Sequence, residues 1–203
     1  MPVDQALARN VIGATGEELL AMSQLHSCIV AASVLTAALA RKGIDSQAIA
    51  VEATVFNSIY AARLAANDWK PLSQEDHDRC RSEGGAVVQV GGAAQPGEEV
   101  GEGDFDGHVA VLIPDFYPEA VALVDLAIVQ ANEPDLGVIL SSLLSKVKPG
   151  FLRGAEPHWT QSNDCAIYYC AIPSDTRFME TYVWTEGTIR DEIVDRALAR
   201  LSA

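Results

Sequence analysis

Three residues of this 203-residue chain have the types needed for thiol chemistry: Cys28, His108 and Asp125. Cys28 follows Ser27, a residue type that caps helices by accepting a hydrogen bond from an N–H of the first turn. A cap there puts Cys28 at the positive end of the helix dipole, where a reactive thiolate forms more easily. The competing reading is one unbroken helix over 17–42 with Cys28 as core filler, because free cysteines are among the most buried residues. His108 opens the apolar run His108-Val109-Ala110-Val111-Leu112-Ile113, directly after a glycine-rich stretch. A strand mouth beside a loop suits a general base. The plainer alternative is a surface histidine at a strand end. Asp125 sits among Val121, Leu123, Val124, Leu126 and Ile128. A carboxylate in such company needs a partner, since an unpaired buried charge is costly. A hairpin centred between Phe116 and Tyr117 sets Asp125 directly opposite His108, with Cβ atoms about 5 Å apart. A register slip of one residue would break the pairing.

Together the three would run nucleophilic catalysis: imidazole takes the thiol proton, thiolate attacks a carbonyl, and carboxylate orients the ring. Either Gln24 or the backbone N–H of Cys28 would serve as oxyanion donor. His26, two residues before Cys28, would shape the thiol's surroundings, whereas His77 and His158 fall in polar segments. A metal ion held by Cys28, His108 and Asp125 has no short ligand spacing behind it, and no C-x-x-C pair occurs. GxGxxG and GxxxxGK[ST] are absent too, so neither cofactor nor metal is expected. Four cysteines, at 28, 80, 165 and 170, are too sparse for a disulfide scaffold. Cys165 and Cys170 would point to opposite faces of one strand.

The elements that must position these groups are legible in outline. Residues 4–22 read as a helix interrupted at 13–16, and 28–42 as a strongly apolar, central helix stopped by Gly43. Alternation predicts a strand over 46–56, then a short helix over 57–66. Residues 68–83 are polar and irregular, and 86–90 form a short strand. Residues 91–107 hold six glycines and five acids and read as a mobile loop bordering the site. Strands follow at 108–113 and 121–130, with a turn over 114–118 between them. Residues 135–144 suggest a helix, 165–172 and 182–184 strands, and 188–201 an amphipathic helix. No repeat or linker divides the chain, so a single domain over 1–203 is expected, its core about 16–131 and an extension about 132–203.

Charge narrows the function classes. With 14 basic against 28 acidic residues the net charge is −14, which disfavours nucleic acid. Residues 82–145 contain no Lys or Arg and 11 acids, a window that includes His108 and Asp125. It is either a solvated face or a field that favours cationic or neutral substrates over acidic ones. The longest near-apolar stretch, 28–40, has 13 residues, short of the roughly 18 that a membrane span requires. No secretory signal opens the chain, so the expected location is cytoplasmic.

In order and spacing these motifs resemble the transglutaminase-like branch of the papain-like cysteine enzymes, most nearly its small bacterial members. The resemblance rests on Cys28 at a helix start, the Ala-rich helix with Arg41-Lys42-Gly43-Ile44, Gly107-His108 opening a strand and Val124-Asp125 in the next. It covers roughly 28–130, about half the chain. It implies an α+β papain-like core in which the Cys-bearing helix packs on an antiparallel sheet that supplies His108 and Asp125. It further implies a peptidase or acyltransferase acting on a peptide or protein amide through a thioester. The family often places aromatic residues beside the Cys and after the His; here Ser27, Ile29 and Val109 stand there. Two other readings stay open: a catalytically silent member that acts as a binding module, and an NlpC/P60-type cell-wall peptidase. The missing export signal and the long separation of Cys28 from His108 count against the latter.

Overall fold

The computed structural model describes residues 3–24, 27–91, 105, 107–185 and 187–201. The acidic, glycine-rich stretch at 92–104 and His26 lie outside the described residues.

The first helix, α1 (Gln5–Ala21), starts at Asp4, whose carboxylate accepts from the N–H groups of Ala6 and Leu7. It runs without the interruption expected at 13–16. Gly16 lies inside it, and a Cβ there would rest 3.6 Å from Leu126, so the helix passes close to the sheet without a break. The second helix, α2 (Cys28–Arg41), is separate from α1, which removes the unbroken-helix reading. Ser27 caps it by accepting from the Val30 N–H at 3.3 Å. Nine of its 14 residues are buried, so hydrophobic burial rather than side-chain pairing holds it in place.

Strand β1 (Gln47–Phe56) follows, then α3 (Ser58–Ala66), capped by Asn57. Next comes α4 (Gln74–Ser82), in the segment expected to be irregular. Only Cys80 is buried there, so no apolar stripe announced it. Its signals are local: Ser73 as cap, Glu75 and Asp76 in the first turn, and an Arg79–Glu75 pair at 2.9 Å. Strands β2 (Val87–Val90), β3 (His108–Tyr117) and β4 (Ala120–Asp125) come next. The remainder is β5 (Leu143–Val147), β6 (His158–Ser162), β7 (Cys165–Ala171), α5 (Tyr182–Thr185) and α6 (Gly187–Arg200).

Among the described residues seven strands form one sheet in the order β5-β4-β3-β1-β7-β6, with β2 also paired to β1, every pairing antiparallel. The fold is therefore α+β. Residues 132–203, expected as an extension, supply β5, β6 and β7 to this sheet and α6 to the helical layer. The helix expected at 135–144 is instead a single 3-10 turn, Pro134–Leu136, ended by the left-handed Gly137 and followed by β5. The strand expected at 182–184 is the short helix α5.

Alternation divides the sheet into two faces. Ala48, Ala50, Val109, Val111, Ala122 and Val124 pack with α1, α2 and α6. Ile49, Val51, Ala110, Leu112, Leu123 and Ile167 form the other core. The sheet curls toward this second face until its outer strands meet. Ser145 Oγ of β5 lies 2.8 Å from His158 Nε2 and 3.1 Å from Thr160 Oγ1 of β6. Among the described residues no helix is long and apolar enough to cross a membrane.

The hairpin between β3 and β4 differs from expectation. β3 continues through Pro114 to Tyr117, and the turn is Pro118-Glu119, with Glu119 at φ 59°. A bulge between Ile113 and Tyr117, where Asp115 takes φ 55°, absorbs extra residues of β3. The register pairs Val111 with Val124 and Ile113 with Ala122. Asp125 is thus set beside Ala110, two residues from His108, and not directly opposite it. A shift of two keeps both side chains on one face, where a shift of one would have parted them.

Candidate active site

His108 is the first residue of β3 and Asp125 the last of β4. Both occupy the second face of the sheet and both are buried, at 0% and 1% exposure. His108 Nε2 lies 2.7 Å from Asp125 Oδ2. The carboxylate takes two further donors: the Tyr169 hydroxyl to Oδ2 at 2.8 Å, and the Ala127 N–H to Oδ1 at 3.1 Å. Tyr169 belongs to β7, from which β1 and β3 separate β4, so the contact exists only because the sheet is strongly curved. A buried carboxylate with three donors is satisfied as an anion, which resolves the cost of placing it in an apolar strand.

Cys28 enters from the helical layer. Its sulfur donates toward the Gly107 carbonyl at 3.7 Å, so the N-terminus of α2 abuts the start of β3. His108 Nδ1 is buried with no hydrogen-bond partner among the described residues. With Nε2 committed to Asp125, Nδ1 is the nitrogen left for the thiol. Burial by itself would depress the imidazole pKa. The Asp125 charge and hydrogen bond, and then the Cys28 sulfur, outweigh burial and raise His108 to about 10. The ring is therefore an imidazolium at neutral pH, held between a carboxylate and a sulfur.

Glycines make this approach possible. A Cβ on Gly91, which has φ 69°, would fall 2.5 Å from the His108 nitrogen. One on Gly107 would fall 2.3 Å from the Phe105 ring. Phe105 packs edge-on against Phe178 with centroids 5.7 Å apart.

The structure thus brings Cys28, His108 and Asp125 to one place. Gln24 stands in the turn between α1 and α2. Its N–H donates to the Leu19 carbonyl at 2.8 Å and its own carbonyl accepts from Ser27 at 3.2 Å, so its backbone shapes the cap. The Cys28 N–H, in the first turn of α2, lies outside the intrahelical ladder. His77 and His158 are not in the polar loops expected. His77 lies on α4 with Nδ1 against the Tyr60 hydroxyl, and His158 lies on β6. Among the described residues no three Cys, His, Asp or Glu side chains cluster as metal ligands do.

Sequence reasoning missed Tyr169. Two signals could have found it: Tyr169 alternates inward with Ile167 on an apolar strand, and a buried phenol needs an acceptor. Asp125 was the buried acceptor in need of donors. Burial and the Asp125 charge push the Tyr169 pKa well above its ordinary value, so the phenol stays a donor.

Compared with family models, with curated proteins and with solved structures, the chain matches none.

Proposed function

We propose that the protein is a cysteine hydrolase or acyltransferase of the papain-like, transglutaminase-like kind, acting on a peptide or protein amide. The observation that carries this reading is the single array from Cys28, at the start of α2, through His108 to Asp125. The His108 imidazolium pairs with Cys28 as a thiolate, the thiol proton having passed to solvent, and the thiolate attacks the amide carbonyl carbon. The tetrahedral oxyanion faces the Cys28 N–H or the Gln24 side chain. Nδ1–H then protonates the leaving amine as the C–N bond breaks, giving a thioester on Cys28. Water or a second amine attacks the thioester while His108 takes its proton, and the Cys28 thiolate is restored beside the imidazolium as the S–C bond breaks. Asp125 keeps Nδ1 aimed at sulfur and balances the imidazolium. Substrates carrying neutral or cationic groups suit the acidic chain.

A second reading, a silent binding module of the same fold, draws on burial: Cys28 keeps 9% exposure and His108 none. One experiment separates the two. The protein is incubated with a peptide-amide library and an activated acyl ester, then digested and analysed by mass spectrometry. A thioester on Cys28, absent in Cys28→Ser and discharged by hydroxylamine, supports catalysis. Binding of peptides with no Cys28 adduct and no turnover overturns it in favour of the module.

A further inference from the structure

We propose that a cavity of about 540 Å³ between α3, α4, β6 and β7 binds a small organic cation with an apolar body, held by the faces of aromatic rings. The site is separate from the thiol. His108 neighbours Val51 on β1, whereas the cavity begins at Phe56, the far end of that strand.

The walls are Phe56, Tyr60, Trp69, Trp159 and Tyr168, so two of the chain's three tryptophans meet here. Adjacent ring centroids are 4.7 to 5.6 Å apart, with planes inclined by 32° to 53°. Inclined rings make a concave wall instead of a flat stack. Trp69 is the informative member. It has φ 59° and follows Asp68 at φ 52°, a left-handed pair that bulky side chains rarely adopt. The conformation is braced. The Trp69 N–H donates to the Leu64 carbonyl at 2.8 Å, and the Asn67 amide donates to the carbonyls of Lys70 and Pro71 at 3.2 and 3.1 Å. The result is an indole left 36% exposed, 5.0 Å from Trp159. Backbone strain that presents an apolar ring to solvent, where burial would be favourable, is the mark of a binding position.

The chemistry of the walls selects the occupant. Elsewhere the protein's own cations lie over its rings: Arg9 over Phe116, Lys146 over Tyr117 and Arg177 over Phe105. Among the described residues no Lys or Arg lines this cavity. Two of the polar lining groups are engaged: the Tyr60 hydroxyl with His77, and the Gln74 amide with Asp78 at 2.8 Å. The five rings offer π-faces whose negative quadrupole attracts a desolvated cation, in a protein of net charge −14. The volume is that of a small-molecule site and exceeds what one ammonium group fills, so the cation carries an apolar body.

Tryptophan fluorescence of the full chain, titrated with choline, with its neutral carbon isostere 3,3-dimethylbutan-1-ol and with benzyltrimethylammonium, tests this. Choline should bind about tenfold tighter than the isostere, the gain a cation gives over ring faces, and benzyltrimethylammonium tighter still. Trp69→Leu should weaken benzyltrimethylammonium by a similar factor, with Trp69→Phe retaining most of the affinity and Cys28 alkylation unchanged in both. Equal affinity for choline and its isostere, or no saturable change with either cation, overturns the proposal.

Discussion

His108 and Asp125 are bonded at 2.7 Å although they are diagonal, not facing, residues of β3 and β4. The diagonal suits the two side chains. Facing residues would bring their Cβ atoms within about 5 Å, whereas a diagonal pair at about 7–8 Å spans the reach of an imidazole plus a carboxylate. The same diagonal commits Nε2 to Asp125 and leaves Nδ1 without a partner among the described residues. Replacing Asp125 by Asn keeps the shape, removes the charge and allows the wrong tautomer. Thioester formation on Cys28 should fall about 10²- to 10⁴-fold, by analogy with triad variants, with only modest loss of fold. An Asp125→Asn protein that acylates at the wild-type rate would refute the orienting role.

Tyr169→Phe deletes one donor to the same carboxylate. The bond goes to a charged, buried acceptor, so the loss should be about 1.5–3 kcal/mol of stability. Urea unfolding followed by circular dichroism measures it. The loss of Cys28 reactivity should be smaller than in Asp125→Asn, because His108 and Ala127 still hold the carboxylate. A variant as stable as the wild type would mean that the hydroxyl contributes nothing to anchoring Asp125.

Much of this site was legible because each part obeys a local rule. Ser27 before an apolar run marks the start of α2, and a lone carboxylate in an apolar strand demands a partner. The pairing of His108 with Asp125 survives a misplaced turn: β3 runs on through Pro114, and the bulge at Asp115 alters the register by an even number. Parity, not position, saved the pairing. Tyr169 was hidden because it depends on the curvature that brings β7 over to β4, and curvature has no local sequence signature. The same holds for β6, a half-buried edge strand whose partner across the closure is Ser145. The polar helix α4 and the 3-10 turn at Pro134–Leu136 were misjudged for the opposite reason. There periodicity is weak and caps or a left-handed glycine decide.

The elevated pKa of His108 makes stability depend on pH. The folded state keeps its proton up to about 10, while the unfolded chain releases it near 6.5. Between those values the native state binds more protons, so stability falls as pH rises. The contribution is complete below 6.5 and gone above 10. Thermal melts at intervals from pH 6 to 10 should show that decline, and His108→Gln should flatten it. A wild-type curve parallel to that of His108→Gln across this window would contradict a retained imidazolium.

Cysteine reactivity offers a direct comparison. Cys80, on α4, is fully buried in a cluster with Tyr60 and Leu64 of α3, and burial pushes its thiol up. Cys28 has an imidazolium beside it and retains some exposure. With iodoacetamide at pH 6, Cys28 should be alkylated ahead of Cys80, and His108→Ala should remove the advantage. Peptide mapping reads the order. Faster labelling of Cys80 would mean that His108 does not activate Cys28.

Substrate charge is the last expectation. Residues 82–145 carry 11 acids and no Lys or Arg, and His108 and Asp125 both lie among them. Acids gathered around a site attract cations to it and repel anions, an effect on capture more than on the chemical step. Screening shortens to about 8 Å at physiological ionic strength, so salt should weaken the preference. Matched peptide amides that differ only in Lys or Glu around the scissile bond, compared at low and high salt, separate steering from a remote acidic face. The Lys peptide should show the higher kcat/KM at low salt, with the gap narrowing as salt is added. Equal values at low salt would place the acids away from the path to Cys28.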